Sequence, residues 1–206
     1  MSDVTMIAGA SDAAIADWLE SRLRAAFAAS AGTVAITVPG GATPFPILGD
    51  LARRRLDWSR LAIWPGDERL VPETDPASNV GRIREVLGRT AATIVPLHEA
   101  ARTPRFALTW LGMGGDGHVA SLFPSSDPRI DDDRPVRRLT PDPLPPEAPY
   151  ARLTLTLPAL LNCDALLFVI RGEAKRALFV AAMAGENDLP VARLLNAASQ
   201  PVTCFT

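Results

Sequence analysis

The stretch LGMGGDGHVASLFP, Leu111–Pro124, gathers the residues best suited to chemistry. Gly112, Gly114 and Gly117 spell G-x-G-x-x-G, the spacing of a dinucleotide-binding turn, and Asp116 and His118 flank the third glycine. A dinucleotide site needs that turn in the first βα connection, with an acidic residue about 20 positions on at the end of the next strand. Here the motif comes late, and the acids Asp131–Asp133 fall in SSDPRIDDDRP, which reads as a loop. Pro124 also leaves little room for the long helix such a turn opens. No G-x-x-x-x-G-K-[ST] occurs, so a P-loop is excluded as well. The glycines on both sides of Asp116 instead allow a tight turn and the close approach of a ligand. An imidazole at such a place can take a proton from water as a general base, although a lone histidine is often structural. No second His, Cys or Glu stands at ligand spacing, which argues against a metal. His98 reads as an ordinary loop residue.

Two other loops carry groups that suit an anion. PGGATP, Pro39–Pro44, offers backbone N–H groups and a hydroxyl at a helix start, a seat for phosphate. The same letters also fit a plain strand-to-helix turn. Arg69 in GDER and Lys175 in RGEAK bring positive charge to the same rim, though each alone reads as a surface charge. Together the loops suggest a small phosphorylated substrate held beneath one base.

Those loops must be positioned by the elements between them. Ser11 and Asp12 can cap a helix in which Ile15, Trp18, Leu19, Leu23 and Phe27 recur at helical spacing. After Gly32, residues 33–38 read as a buried β-branched strand. Thr43 then reads as an N-cap with Pro44 at the first helical position, and Arg53–Arg55 as that helix's solvated last turn. Residues 61–65 read as a strand leading into a loop, GDERLVPETDPASN, whose Ser78 and Asn79 cap the next helix. Residues 92–97 and 106–111 are further strands. A polar, proline-rich excursion to Pro149 carries one strand near Val136–Leu139. Residues 151–156 form a strand, 157–163 a short helix, 165–170 a strand, and EAKRALFVAAMAG a helix; PVTCF closes the chain. Apolar strands alternating with helices indicate an α/β fold with a mostly parallel sheet covered on both faces. Ligands in such folds bind beyond the carboxyl ends of the strands, where PGGATP, GDER and LGMGGDGH lie.

Composition agrees with this class. The 206 residues, 48% hydrophobic and 21% charged, fit one domain spanning residues 1–206 and exclude disorder for most of the chain. A formal net charge of −2 gives no footprint for nucleic acid. Cys163 and Cys204 form no C-x-x-C and read as buried thiols in a reducing compartment. The first residues lack the basic-then-apolar pattern of a secretory signal, and ALLFVI is too short to cross a bilayer. A cytoplasmic protein with no membrane or nucleic-acid partner is expected.

The order PGGATP, GDERLVP–SN, LGMGGDGHVASLFP and GEAK resembles the 6-phosphogluconolactonase family from about Val34 to Ala177. The resemblance implies a three-layer α/β sandwich, a modified Rossmann-like fold related to the sugar-phosphate isomerases and deaminases. It implies metal-free hydrolysis of 6-phospho-D-glucono-1,5-lactone to 6-phosphogluconate, the second step of the oxidative pentose phosphate pathway; no cofactor and a monomer are expected. Position by position, His118 would be the base and Asp116 and Asp67 would line the site. Arg69 and Lys175 would hold phosphate or developing charge, and Gly40, Gly41 and Thr43 would form the phosphate loop. One departure stands out: Pro39 replaces the family's common Ser, removing a hydroxyl and an N–H donor. Two other functions compete. The related glucosamine-6-phosphate deaminases follow D-G-H with an I-A-F-N-E-P-like stretch whose acid assists ring opening. VASLFP has no carboxylate before Asp127, and GDER replaces a D-E-Y-like segment. A non-catalytic sugar-phosphate sensor need not keep Asp116 and His118.

Overall fold

Residues 3–144 and 149–206 are described in a computed structural model, which turns the short apolar runs into one large sheet. Strands β1 (Val4–Ile7), β2 (Val34–Val38) and β3 (Leu61–Pro65) join β5 (Thr93–Ile94), β6 (Leu108–Leu111), β9 (Leu166–Val169) and β10 (Val202–Phe205). All pair in parallel, in the order β1-β10-β9-β6-β2-β3-β5. A second sheet is antiparallel, with β4 (Asp67–Arg69) and β7 (Val136–Leu139) flanking β8 (Arg152–Leu155).

The central strands are apolar apart from single threonines, Thr37 in β2 and Thr109 in β6, because helices cover both faces. Val34, Ile36 and Val38 of β2 face α1 (Asp12–Ala29), α2 (Pro44–Ala52) and α3 (Asn79–Leu87). Ala35, and Leu166 and Phe168 of β9, face the other layer: α4 (Leu157–Leu161), α5 (Glu173–Met183), α6 (Pro190–Ala197) and the small sheet. Each fully buried Leu, Ile or Phe here contributes about 1.5–3 kcal/mol. The result is the three-layer, mostly parallel α/β sandwich expected from the sequence. Among the described residues no helix is long and apolar enough to cross a membrane.

The strand order also contains a reversal. From β2 the chain moves outward to β3 and β5, then returns across β2 to β6 and runs the opposite way through β9 and β10. The carboxyl ends of the adjacent strands β2 and β6 are therefore the switch point, the crevice where open α/β sheets bind ligands.

Several local expectations change. Ser11 caps α1 through Ala14 N–H as expected, but Thr43 is itself helical and its hydroxyl caps nothing. Helix α2 ends at Ala52, so Arg53–Arg55 lie beyond it rather than in its last turn. The GDER segment is not loop throughout: residues 67–69 form β4, recruited by long-range pairing with β8. Strand β1 and helix α6 have no counterpart in the sequence reading. Strand β7 falls at Val136–Leu139 as read, and residues 145–148 of the excursion around it lie outside the described residues.

Candidate active site

The crevice between β2 and β6 is a cleft of about 350 Å³. The loop after β6 forms one wall. There the Gly114 N–H donates to the His118 carbonyl at 2.9 Å and the Gly117 N–H to the Gly114 carbonyl at 3.2 Å, closing a tight turn. The turn curls the imidazole back over Gly114, where a Cβ would overlap the ring, so only glycine fits. His118 Nδ1 lies 2.6 Å from Asp116 Oδ1, and the His118 backbone N–H donates to the same oxygen at 3.2 Å. Against an ionised carboxylate Nδ1 carries the proton, leaving Nε2 as the basic edge. Phe123 packs on the ring, with centroids 4.6 Å apart.

Burial pushes the Asp116 carboxyl up, but the adjacent His118 charge and the His118 hydrogen bonds outweigh it, holding the group below the usual aspartate range. The carboxylate therefore stays charged and can steady an imidazolium. His118 lines the cleft; Asp116 stands behind the ring rather than on the wall.

The loop after β2 forms the facing wall. Gly40, Gly41, Ala42 and Thr43 all line the cleft, and their N–H groups donate to no protein atom among the described residues. Gly40 presses against the Asn79 amide, leaving no room for a Cβ there. Pro44 and Pro46 lack N–H groups, so donors come mainly from the loop rather than from the first turn of α2.

The small sheet supplies the floor. Asp67, on β4, is buried: its Oδ2 accepts from the Ser121 hydroxyl, and Asn79 Nδ2 donates to its backbone carbonyl at 2.7 Å. The next residue, Glu68, is architectural. Its carboxylate accepts the N–H groups of Asn79 and Val80, both at 2.7 Å, and so fastens β4 to the start of α3. Arg69 follows, donating through Nη1 to the Ala77 carbonyl and to Asn79 Oδ1 at 2.8 and 2.9 Å. Its buried Nε has no hydrogen-bond partner among the described residues.

Positive charge converges here. Arg69 stands opposite Arg152 in the β4–β8 register, an arrangement of like charges that destabilises a sheet unless something neutralises it. Burial first, and Arg69 second, lower the Arg152 value below the usual arginine range. Arg171 and Lys175 line the same cleft, Arg171 braced by Asp12 Oδ1 at 3.0 Å and Lys175 on the first turn of α5. Four cations thus face one carboxylate, Asp67, among the described lining residues. Such a surface has the charge to suit an anion. No group of three or more His, Cys, Asp or Glu is placed to hold a metal ion among the described residues.

All the sequence-derived site residues meet at this cleft, Asp116 through His118. Arg152, Arg171 and Ser121 also line the cleft without being marked by the sequence motifs, and Asn79 holds Arg69 and Asp67 as well as opening α3. For Arg152 a signal existed: a charged residue opening the otherwise apolar and threonine-rich run ARLTLT. Ser121 gave none, because its role depends on β4 coming alongside.

A parallel α/β sheet whose switch point is lined by an imidazole, loop amides and four cations has the arrangement of an enzyme for small anionic ligands. A family model described as "Glucosamine-6-phosphate isomerases/6-phosphogluconolactonase" matches residues 8–102 and 89–203, and the chain belongs to that family. A 6-phosphogluconolactonase of Neisseria meningitidis is 34% identical, with 92% of this chain and 90% of the relative covered. One from Pseudomonas aeruginosa is 37% identical, covering 85% and 83%. The crystal structure of 6-phosphogluconolactonase from Thermotoga maritima superposes with a TM-score of 0.83 at 23% identity, over 100% of this chain and 99% of that one. That likeness is one of fold.

Proposed function

We propose that the chain hydrolyses 6-phospho-D-glucono-1,5-lactone to 6-phospho-D-gluconate, with His118 as general base. The observation that carries this reading is the Nδ1–Asp116 bond at 2.6 Å, which leaves Nε2 free beside a cationic cleft. The family membership and the names of the curated relatives support the substrate.

A lactone is an activated ester, so no side-chain nucleophile is required. His118 Nε2 takes a proton from water as the water oxygen bonds to C1. The carbonyl electrons move to oxygen, giving a tetrahedral oxyanion. When that collapses, the C1–ring-oxygen bond breaks and the imidazolium returns its proton to the departing oxygen. Asp116, kept ionised, steadies the imidazolium between the two transfers. General-base help of this kind is worth roughly 10²–10⁴ in rate. Asp67, fixed by Ser121 and Asn79, accepts a sugar hydroxyl. The free amides of residues 40–43, with Lys175, Arg171 and the Arg69–Arg152 pair, hold the 6-phosphate, so remote binding energy aligns C1 with the base. Pro39 removes one donor and leaves the other four in place.

Ring-opening deamination fits less well, because it calls for an acid that VASLFP does not supply. The test runs acid release from freshly made lactone beside ammonia release from glucosamine 6-phosphate. The reading requires acid release faster than the spontaneous rate and no ammonia. A lactone rate equal to the buffer blank would sink it, and ammonia without acid would favour the deaminase.

A further inference from the structure

His118 sits on a loop, and loops hold catalytic groups loosely unless something outside them takes up the slack. That something is α6, which touches the catalytic loop on both sides of the imidazole. On the near side, the Val191 N–H, one of the donors that a helix start leaves unpaired, donates to the Gly117 carbonyl at 3.1 Å. The Leu189 side chain closes over Gly117, so that a Cβ there would lie 2.8 Å from Leu189 Cδ1. The fixed carbonyl belongs to the residue immediately before His118.

On the far side the link runs through Arg193. Its Nε and Nη2 grip Asp188 at 3.0 and 2.7 Å, just ahead of the helix. Its Nη1 crosses to Asp127 Oδ1 and to the Pro128 carbonyl, at 2.5 and 3.1 Å. Asp127 ends the turn Pro124–Ser126 in a left-handed conformation, φ 43° and ψ 61°. That turn starts at Phe123, whose carbonyl accepts from the Ser126 N–H and hydroxyl at 3.0 and 2.7 Å. Phe123 is the residue packed against the His118 ring, the two planes tilted by 42°.

We propose that α6 is the positioning element of the catalytic loop and that Arg193 is a positioning residue, setting the His118 ring through Asp127, the 123–126 turn and Phe123. Arg193 touches no reacting atom; it acts through the geometry of the base. Exposed ion pairs contribute little to global stability, so the consequence falls on turnover rather than on folding. The proposal rests on the lactonase reading for its kinetic arm only.

Arg193→Ala, Arg193→Lys and Asp127→Asn test it; asparagine tolerates the left-handed turn and keeps the shape while losing the charge. Arg105→Ala serves as control, since Arg105 pairs with Asp164 at 2.7 Å at the amino ends of β6 and β9, away from the cleft. Displacing a base by a fraction of an ångström lowers kcat by about tenfold, up to ~10² for a full ångström. Arg193→Ala and Asp127→Asn should show that loss in kcat with KM and melting temperature near wild type, and Arg193→Lys should recover part of it. The chain has two histidines, so imidazole NMR signals give a second readout. Those of His118 should shift in both variants, while those of His98 and the control stay in place. Unmoved His118 signals, or kcat within about twofold of wild type in both variants, would overturn the proposal, as would KM rising as steeply as kcat falls. An inactive wild type would instead remove the lactonase reading, with the NMR arm still testing the clamp.

Discussion

Two glycine-rich turns face each other at the carboxyl ends of β2 and β6, and they use their glycines for opposite ends. In residues 112–118 the absence of a Cβ at Gly114 lets the loop fold onto itself until the His118 ring lies against its own backbone. In residues 39–43 it lets Gly40 press on Asn79 while the N–H groups of residues 40–43 donate to no protein atom among the described residues. One turn closes on itself through the Gly114, Gly117 and His118 N–H groups and presents an imidazole; the other makes no such internal bond with the N–H groups of residues 40–43 among the described residues. On the proposed function, the first turn carries the base and the second the phosphate contacts. The contrast predicts that changes in the first turn appear in kcat and changes in the second in KM.

The largest effect belongs to His118→Ala, which should lower kcat by roughly 10²–10⁴ with KM nearly unchanged. Steady-state acid release measures it, and circular dichroism confirms the fold. Next comes Gly114→Ala, whose methyl displaces the ring. A shift approaching 1 Å should cost kcat about 10², again with little change in KM. If KM rose instead, the division between the two turns would be wrong. On the anion side, Lys175→Ala removes a charge-assisted contact worth about 1.5–3 kcal/mol, so KM should rise roughly tenfold to a hundredfold. Inhibition by inorganic phosphate should weaken in parallel, and an unchanged KM would separate Lys175 from the phosphate.

The smallest effect concerns pH. The folded-state value of Asp116 is depressed, so whatever it lends the loop is present above the ordinary aspartate range and is lost only as pH falls through the lowered value. An acid limb in kcat between about pH 5 and 7 therefore belongs to a group other than Asp116. Asp116→Asn should lower the plateau of the pH–rate profile without abolishing that limb, and a flat profile in the variant would assign the limb to Asp116.

Much of this was legible in residues close together along the chain. The runs at 34–38, 61–65, 108–111 and 166–169 are short, apolar and bounded by turn residues, so the central strands and the loops after them could be placed without a fold. Asp116 and His118 stand out by the glycines around them, but the contact between them does not, and Asp116 supports the imidazole rather than lining the cleft. What stayed hidden depended on distant partners. Three polar residues, Asp67–Arg69, become a strand only because β8 arrives beside them. The eight residues of α6 carry no capping side chain at Leu189 and follow a polar turn, so nothing local marks their start. Strand β1 is half-exposed and derives its order from β10, almost 200 residues away. Thr43 shows the converse, a residue of the right type in the right place whose hydroxyl does no capping because its backbone is already helical.

The most direct test of the account is the kcat of folded His118→Ala on fresh 6-phosphogluconolactone, measured with and without added imidazole after subtracting the imidazole-catalysed background. We expect a fall of at least about a hundredfold and a partial, concentration-dependent recovery as free imidazole replaces the missing base. A variant that turns over like wild type, indifferent to imidazole, would contradict it.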